Sequence, residues 1–463
     1  MKYVSTRGQA KPLSFVEVLT SGLASDGGLY FPEKIPHFSL DEIKSWKNLN
    51  YNELAFKVIS PYVDGEIPEK ELKELIAKSY RSFRVPNVTE IKELEKNLYV
   101  LELFHGPTIA FKDVALQLLG NLQDYVLTKK NEDIVIIGAT SGDTGSAAIE
   151  GVKNCKHVKL FMMHPYGRVS DIQRLQMTTV ISDNIFNIAV EGNFDDCQDM
   201  VKEMFKNPEF IKGKKLSAVN SINWARIIAQ IVYYFQVVLQ LTGAEESVSF
   251  AVPSGNLGDV FAGYMAKKMG LPIDQLIVST NENDILHRFF NGNDYSKQGV
   301  KQTVAPSMDI QVSSNFERLL FVEYGLDGKK INEMMDNFRN TGNLEVSPQV
   351  FNSVKATFKS MASNDAEIKA ETKRVYQKYN YIVCPHTATG TRAAESLRNK
   401  NGKMVVLATA SPAKFPDVVM ESIGVKPALP AHLSDLMTRK EQYHKLPNDI
   451  DQIKNYIYQE SNR

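Results

Sequence analysis

Lys112 is the residue of this sequence whose type and setting point most directly to covalent chemistry. It lies in the stretch HGPTIAFKDVALQLLG, where apolar residues precede it and a helix-like run follows. A lysine kept partly out of water has a lowered pKa, which exposes the neutral, nucleophilic amine. The alternative is a surface lysine whose stem lies on apolar side chains while its ammonium reaches water. The other motifs of the chain give the evidence that distinguishes these two interpretations.

A glycine-rich turn, SGNLGD, follows an apolar strand-like run and opens a helix-like one. After its serine it consists of Gly255, Asn256, Leu257, Gly258 and Asp259. Backbone N–H groups at the start of a helix suit a phosphate, because they donate hydrogen bonds and the helix end is positive. Such a turn is also often only a tight turn between a strand and a helix.

A second turn of this kind, TSGDTGSA, adds the hydroxyls of Ser141 and Thr144 to its backbone N–H groups. Its placement suits a carboxylate or a second phosphate. The glycine spacing of this turn is not the G-x-G-x-x-G of dinucleotide-binding proteins, which disfavours NAD.

Two further motifs place hydroxyl, amide and guanidinium groups at the ends of apolar runs. NSINWAR opens a long apolar helix with Asn220, Ser221 and Arg226, and ATASPAKF ends a strand with Thr409. The first motif favours either a helix cap by Asn220 or Ser221 or a phosphate grip in which Arg226 supplies a fork of donors. The second motif is explained equally well by a helix cap.

Other chemistries have little support. Cys155, Cys197 and Cys384 lie far apart, the histidines lack metal-binding spacing, and no G-x-S-x-G elbow for a serine hydrolase occurs. We therefore predict no metal site. Pyridoxal phosphate carries both an aldehyde and a phosphate, so this cofactor would explain Lys112 and one phosphate-competent turn together.

Strand-like runs alternate with helix-like runs from about residue 98 onward, which predicts an α/β protein with parallel sheets covered on both faces. Ligands of such sheets bind at loops beyond the carboxyl ends of the strands, where these motifs lie. Residues 1–97 are helical and charged and are predicted to form an N-terminal lobe. Residues 98–425 are predicted to form the catalytic core with a smaller lobe at about 125–215, and residues 426–463 a C-terminal arm.

Composition excludes several classes of partner. The chain has 54 basic and 54 acidic residues, so no net field attracts nucleic acid or a membrane surface. The most apolar helix, RIIAQIVYYFQVVLQL, contains three glutamines and is predicted to be a buried core helix. The scattered cysteines and the polar N-terminus predict a cytoplasmic protein.

Several motifs together resemble the bacterial and fungal branch of threonine synthase. In chain order they are LELFHGPTIAFKDVA, ATSGDTGSAA, NSINWARI, VPSGNLGDVFAG, APSMDIQVSSNFERLL and ASPAKF. The opening SFVEVLTSGLASDGGLYFP also fits, so the resemblance covers nearly the whole chain. It implies a pyridoxal-phosphate enzyme of fold type II, similar to the tryptophan synthase β subunit: two parallel-sheet lobes with an added helical N-terminal lobe.

The resemblance also implies a role for each candidate residue. Lys112 would carry the cofactor covalently, the turn from Gly255 to Asp259 would cradle its phosphate, and Thr409 would face its pyridine nitrogen. Many relatives have phenylalanine where Leu257 stands, a change that leaves the backbone donors in place. The residues implied for the substrate are Ser141 at its carboxylate and Thr144, Asn220, Ser221 and Arg226 at its phosphate.

The implied reaction converts O-phospho-L-homoserine and water to L-threonine and phosphate, and the implied enzyme is a monomer. One alternative is a phospho-lyase that releases 2-oxobutyrate, which motifs alone do not distinguish from a synthase. A serine or threonine dehydratase is disfavoured, because its substrate needs no phosphate clamp around Arg226. A non-catalytic protein that binds a phosphorylated metabolite is disfavoured by the intact Lys112 and Thr409.

Overall fold

The computed structural model describes residues 1–219 and 222–463. These residues form two compact units. The larger unit comprises Met1–Val18, Leu23–Phe111 and 222–428, and the smaller unit comprises Leu19–Gly22, 112–219 and Leu429–Arg463.

The strands are short, and most of them follow the β-branched runs of the sequence. They are β1 Tyr3–Ser5, β2 Tyr30–Pro32, β3 Glu90–Glu95, β4 Leu98–Glu102, β5 Ile134–Ala139, β6 Val158–Pro165, β7 Ile185–Glu191, β8 Lys215–Ala218, β9 Val248–Pro253, β10 Ile273–Thr280, β11 Tyr295–Ser296, β12 Asn343–Leu344, β13 Phe358–Ala362, β14 Lys403–Ala408 and β15 His444–Pro447.

The helices alternate with these strands through most of the chain. They are α1 Phe15–Thr20, α2 Leu40–Ser45, α3 Tyr51–Val63, α4 Glu69–Tyr80, α5 Lys112–Lys130, α6 Asp143–Val152, α7 Asp171–Thr178, α8 Phe194–Lys206, α9 Trp224–Thr242, α10 Gly258–Lys268, α11 Ile285–Gly292, α12 Phe316–Glu323, α13 Gly328–Thr341, α14 Pro348–Thr357, α15 Asp365–Tyr379, α16 Pro385–Leu397, α17 Pro416–Ile423 and α18 Ile450–Asn462.

A six-stranded sheet organises the larger unit. Its order is β13-β10-β9-β14-β4-β3, and every pair is parallel except β3 with β4. The central strands are buried on both faces, as their continuous apolar runs require of a parallel sheet. The carboxyl ends of β9 and β14 carry the SGNLGD turn and Thr409, so the sheet determines the position of both motifs.

Helix α9 is the buried core helix that the sequence predicts. By length and composition it is the one described helix that could cross a membrane, but 83% of its most apolar window is buried inside the protein. Gln230 and Gln236 are buried with it, and the Gln236 side chain exchanges hydrogen bonds with Thr89 and with the backbone of Asn87. A helix packed on all sides in this way belongs to a protein core.

The smaller unit contains a five-stranded, fully parallel sheet in the order β15-β7-β6-β5-β8. Its edge strand β15 comes from the predicted C-terminal arm. Ile453 and Ile457 of α18 are fully buried in the same core as Phe161 and Ile188. The segment predicted as an arm is therefore part of this unit, because its apolar residues complete the unit's core.

Two glycines allow α5 and α6 of the smaller unit to lie side by side. A Cβ at Gly120 would come within 2.1 Å of the carbonyl oxygen of Gly151, and a Cβ at Gly151 within 2.6 Å of that of Leu116. No side chain fits at either position. The central segment of the smaller unit therefore starts at Lys112, whereas the sequence predicted a start at about residue 125, because the whole of α5 packs here.

Candidate active site

The segment just before Lys112 is hydrogen-bonded to residues that follow β14. The Phe111 N–H donates to the Thr409 carbonyl at 2.7 Å, and the Lys414 ammonium, fully buried, donates to the Thr108 carbonyl at 3.0 Å. Ile109 has φ +54°, a conformation that β-branched residues avoid. Such strain persists only where surrounding contacts fix it, and it concentrates at functional sites.

Lys112 is the first residue of α5, and only 11% of its side chain is exposed. Its Nζ lies 3.9 Å from Oδ2 of Asp143, the first residue of α6. Oδ1 of Asp143 accepts a hydrogen bond from Nε2 of Gln173 at 2.9 Å. The close packing of α5 and α6 thus places a carboxylate beside the lysine amine, a contact that the sequence did not reveal.

The TSGDTGSA turn is organised by the side chain of Thr140. Its Oγ1 accepts hydrogen bonds from the N–H groups of Gly142 and Gly145, at 3.0 and 2.9 Å. These two donors are therefore already engaged within the turn. Ser141 is exposed and Thr144 is half-buried, so their hydroxyls are accessible to a ligand.

The SGNLGD turn joins β9, which ends at Pro253, to α10, which begins at Gly258. Leu257, the N-cap of α10, has φ +59°, a left-handed conformation typical of anion-binding turns. A Cβ at Gly255 would lie 3.2 Å from the Met308 Cα, so a side chain there would crowd the turn. The turn therefore has the backbone form of a phosphate cradle at a helix start.

The side chain of Asp259 is committed elsewhere. Its Oδ1 accepts hydrogen bonds from the hydroxyls of Tyr233 and Tyr234 on α9, the latter at 3.1 Å. Burial raises the pKa of this carboxyl to about 7, against the opposing effect of the two tyrosine hydrogen bonds. If Asp259 contacts a phosphate, its backbone N–H therefore makes the contact and its carboxylate does not.

Arg226 lies in the first turn of α9 and is 6% exposed. The N-cap of this helix is Asn223, whose Oδ1 accepts from the Ala225 N–H at 3.0 Å. Asn220 and Ser221, which the sequence offered as caps or as ligands, lie outside the described residues.

One group of side chains has ligand types that metals use. Glu90, Glu102 and His105 lie close together, with Nε2 of His105 3.0 Å from the Glu102 carboxylate. The Lys92 ammonium pairs with Glu90, and the Tyr381 hydroxyl donates to Glu102 at 2.8 Å. These contacts neutralise and bond the carboxylates, so we interpret the group as an anchor for the turn at His105.

Three families match successive and partly overlapping parts of the chain. Threonine synthase N terminus matches residues 2–80, Pyridoxal-phosphate dependent enzyme matches 82–410, and Threonine synthase, C-terminal matches 387–457. The threonine synthase of Pseudomonas aeruginosa is 54% identical, over 100% of this chain and 99% of that protein. The chain belongs to the threonine synthase family.

Solved structures of threonine synthases agree over the full length. The structure described as a PLP-bound threonine synthase from Brucella melitensis has 46% identity and a TM-score of 0.98, covering 100% of both chains. The yeast threonine synthase has 41% identity and a TM-score of 0.95, covering 99% of this chain and 98% of its own. The fold, the threonine synthase function and the pyridoxal phosphate cofactor predicted from the motifs are confirmed.

The residues present fit this cofactor. Lys112 offers an amine for the aldehyde, and the turn from Gly255 to Gly258 offers backbone N–H groups at a helix start, with glycines where a Cβ would make tight contacts. Thr409, 5% exposed at the end of β14, offers a neutral hydroxyl. The roles of these individual residues remain predictions.

Sequence reasoning missed two residues that contact candidate site residues and a third that contacts one of those two. Asp143 lies beside Lys112, and Asn315 donates from Nδ2 to the carbonyl of Asn256 in the SGNLGD turn at 3.0 Å. Arg318 in turn bonds Asn315. Asn315 and Arg318 belong to the motif APSMDIQVSSNFERLL, which is part of the family resemblance, so the motif was the available signal.

The raised pKa of Asp259 predicts a pH-dependent stability. A carboxyl whose pKa is higher in the folded protein than in the unfolded chain binds its proton more tightly when folded. Its contribution to stability therefore falls as pH rises from about 4 to about 7. Asp259→Asn has nearly the same shape and never ionises. We expect the melting temperature of Asp259→Asn minus that of the parent to be larger at pH 8 than at pH 5.

Thermal unfolding of both holoenzymes in matched buffers measures this difference. A difference that stays constant over the pH range would show that the Asp259 carboxyl does not titrate there.

Proposed function

We propose that this enzyme converts O-phospho-L-homoserine and water to L-threonine and phosphate. The observation that carries the proposal is the guanidinium of Arg226, buried in the first turn of α9. A helix start and a buried arginine both favour binding of an anion. A phosphate dianion can accept two parallel hydrogen bonds from the planar guanidinium of arginine. A substrate that differs from other amino acids by a terminal phosphate fits this pair of features.

Lys112 is the proposed catalytic residue. Pyridoxal phosphate, when bound, supplies an aldehyde that takes up the substrate amine and a conjugated ring that delocalises negative charge from Cα. Lys112 would hold the cofactor between turnovers and take protons from the substrate Cα and Cβ, so that the Cγ–O bond breaks and phosphate leaves. It would then return protons to Cγ and Cα, and water would add its hydroxyl at Cβ and give up its remaining proton. Its low exposure, 11% of the side chain, limits its contact with water.

The remaining residues bind and orient. We assign Ser141 to the substrate carboxylate, and Thr144, Asn220, Ser221 and Arg226 to the substrate phosphate. The SGNLGD turn is assigned to the cofactor phosphate, and the Thr409 hydroxyl to the pyridine nitrogen, where a neutral partner keeps the ring less electron-demanding than a carboxylate would. A site built around a dianion rejects analogues that lack it, because its buried donors are then left unpaired.

Product analysis tests the proposal. Purified protein is incubated with pyridoxal phosphate and O-phospho-L-homoserine, and threonine, 2-oxobutyrate and phosphate are quantified together. We expect threonine and phosphate in equal amounts. Phosphate matched by 2-oxobutyrate would assign the enzyme to the phospho-lyases, and absence of phosphate release would overturn the substrate assignment. Homoserine, which lacks the phosphate, is the control substrate and should not turn over.

We also propose that the chain works as a monomer in the cytoplasm. The three cysteines are free and buried, which fits a reducing compartment. Light scattering of the holoenzyme should give a mass near 52.0 kDa, and twice that mass would contradict the monomer.

A further inference from the structure

The motif SSNFERLL packs against the SGNLGD turn within the larger unit. The Asn315 side chain, fully buried, donates from Nδ2 to the Asn256 carbonyl at 3.0 Å, and the Asn315 N–H donates to the same oxygen at 3.2 Å. The Ser314 hydroxyl donates to Oδ1 of Asn256 at 3.1 Å. Both the backbone and the side chain of Asn256 are thus held from one side.

This contact fixes the direction of the next N–H group. In a trans peptide the carbonyl of one residue and the N–H of the following residue point in opposite directions. Because the Asn256 carbonyl is held toward Asn315, the Leu257 N–H points away from Asn315. Leu257 is the left-handed N-cap of α10, so its N–H belongs to the anion cradle.

Arg318 determines which end of the Asn315 amide faces the turn. Its Nη1 donates to Oδ1 of Asn315 at 2.7 Å. Arginine has only donors, so the amide oxygen must face Arg318 and the amide NH2 must face the Asn256 carbonyl. The opposite orientation would place donor against donor and acceptor against acceptor.

The guanidinium of Arg318 is itself fixed from three directions. Nη2 donates to the carbonyls of Tyr30 and Ile222, at 2.7 and 2.6 Å, and Nε donates to Tyr30 at 3.2 Å. The residue is 1% exposed, and burial lowers its pKa to about 9, so it is charged at pH 7. Each of these acceptors is neutral. Burying this cation is costly, and the nearby carboxylate of Glu317, which acts to raise the pKa of Arg318, offsets part of that cost.

We propose that Arg318 and Asn315 are positioning residues for the cofactor phosphate. Arg318 orients the Asn315 amide, Asn315 fixes the peptide between Asn256 and Leu257, and this peptide presents the Leu257 N–H to the phosphate. The inference rests on the proposed assignment of the SGNLGD turn to the cofactor phosphate. It adds two residues that do not touch the phosphate but set the geometry of a group that does.

The test is the affinity of the cofactor-free protein for pyridoxal phosphate, followed by absorbance and by protein fluorescence. Asn315→Asp keeps an acceptor for Arg318 but loses the donor to Asn256 and adds a negative charge beside the cradle. We expect its melting temperature to stay within a few degrees of the parent, while the Kd for pyridoxal phosphate rises at least 30-fold. Asn315→Asp should therefore lower the affinity for pyridoxal phosphate without lowering the stability of the protein appreciably.

Arg318→Lys keeps the charge but not the planar fork that reaches three acceptors, and we expect a rise in Kd of at least tenfold. Arg398→Lys is the matched control. Arg398 is another buried arginine of the larger unit, bonded to Glu95 and near Glu395, and its replacement should leave the Kd within twofold of the parent.

Pyridoxal, which lacks the phosphate, is the reference ligand. Both Asn315→Asp and Arg318→Lys should raise the Kd for pyridoxal phosphate and leave the Kd for pyridoxal nearly unchanged. Equal losses for the two ligands, or a Kd for pyridoxal phosphate within twofold of the parent, would overturn the proposal. If Arg318→Lys fails to fold, Asn315→Asp decides alone.

Gly255→Ala separates this inference from the assignment on which it rests. Its added methyl would lie 3.2 Å from Met308 Cα and from the Ser307 carbonyl oxygen, so the turn would have to shift and pyridoxal phosphate binding should weaken. If this variant binds normally, the assignment of the turn is wrong. If it binds weakly while the Asn315 and Arg318 variants bind normally, only the positioning role is wrong.

Discussion

Lys112→Ala is expected to reduce kcat by a factor of about 10³ or more. The variant lacks the amine that holds the cofactor and that moves the Cα proton. Near Lys112 the described contacts include the carboxylate of Asp143 and the amide of Gln173 that bonds it, and neither group replaces a primary amine. Steady-state kinetics measures the loss, and the visible spectrum should lose the absorbance of the covalent link between lysine and cofactor.

Two controls support the interpretation of that result. Lys130→Ala changes an exposed lysine at the other end of α5 and should leave turnover unaltered. A small primary amine added to the Lys112→Ala protein should restore part of the rate, because it supplies the missing base. Turnover of Lys112→Ala within tenfold of the parent would remove Lys112 from the catalytic role.

Arg226→Ala is expected to lower kcat/KM for O-phospho-L-homoserine, and this loss should be second in size to that of Lys112→Ala. Burial lowers the pKa of Arg226 to about 10, so its guanidinium is still charged at pH 7. Removing one partner of a buried charge pair costs about 2–5 kcal/mol, which corresponds to roughly 30- to 5,000-fold in kcat/KM. The absorbance of the bound cofactor should stay unchanged, since the loss concerns the substrate phosphate.

Arg226→Lys is the graded control for this prediction. It keeps the positive charge and loses the planar fork of donors, so its kcat/KM should lie between those of Arg226→Ala and the parent. Parent-like kinetics of Arg226→Ala would contradict the phosphate anchor. Loss of the cofactor absorbance in Arg226→Ala would instead show that the residue supports cofactor binding.

The sequence was sufficient to place Lys112, the SGNLGD turn and Thr409 at the ends of strands or the starts of helices. These features are local: a β-branched run, a glycine-rich turn and a helix start lie within about twenty residues of one another. The motif order also predicted the family and the cofactor. Boundaries were less well predicted, because the short edge strand β15 gains its partner β7 only in the folded sheet.

By itself the sequence determined which residues could carry chemistry: a lysine before a helix, two anion-competent turns and an arginine at the start of an apolar helix. Only the tertiary structure placed Asp143 beside Lys112, committed the Asp259 carboxyl to Tyr233, and joined Arg318 to Tyr30 across a separation of 288 residues. The physical reason is the range of the interactions. Backbone conformation and helix starts depend on neighbours in the chain, whereas buried hydrogen bonds depend on which distant segments the packed core brings together.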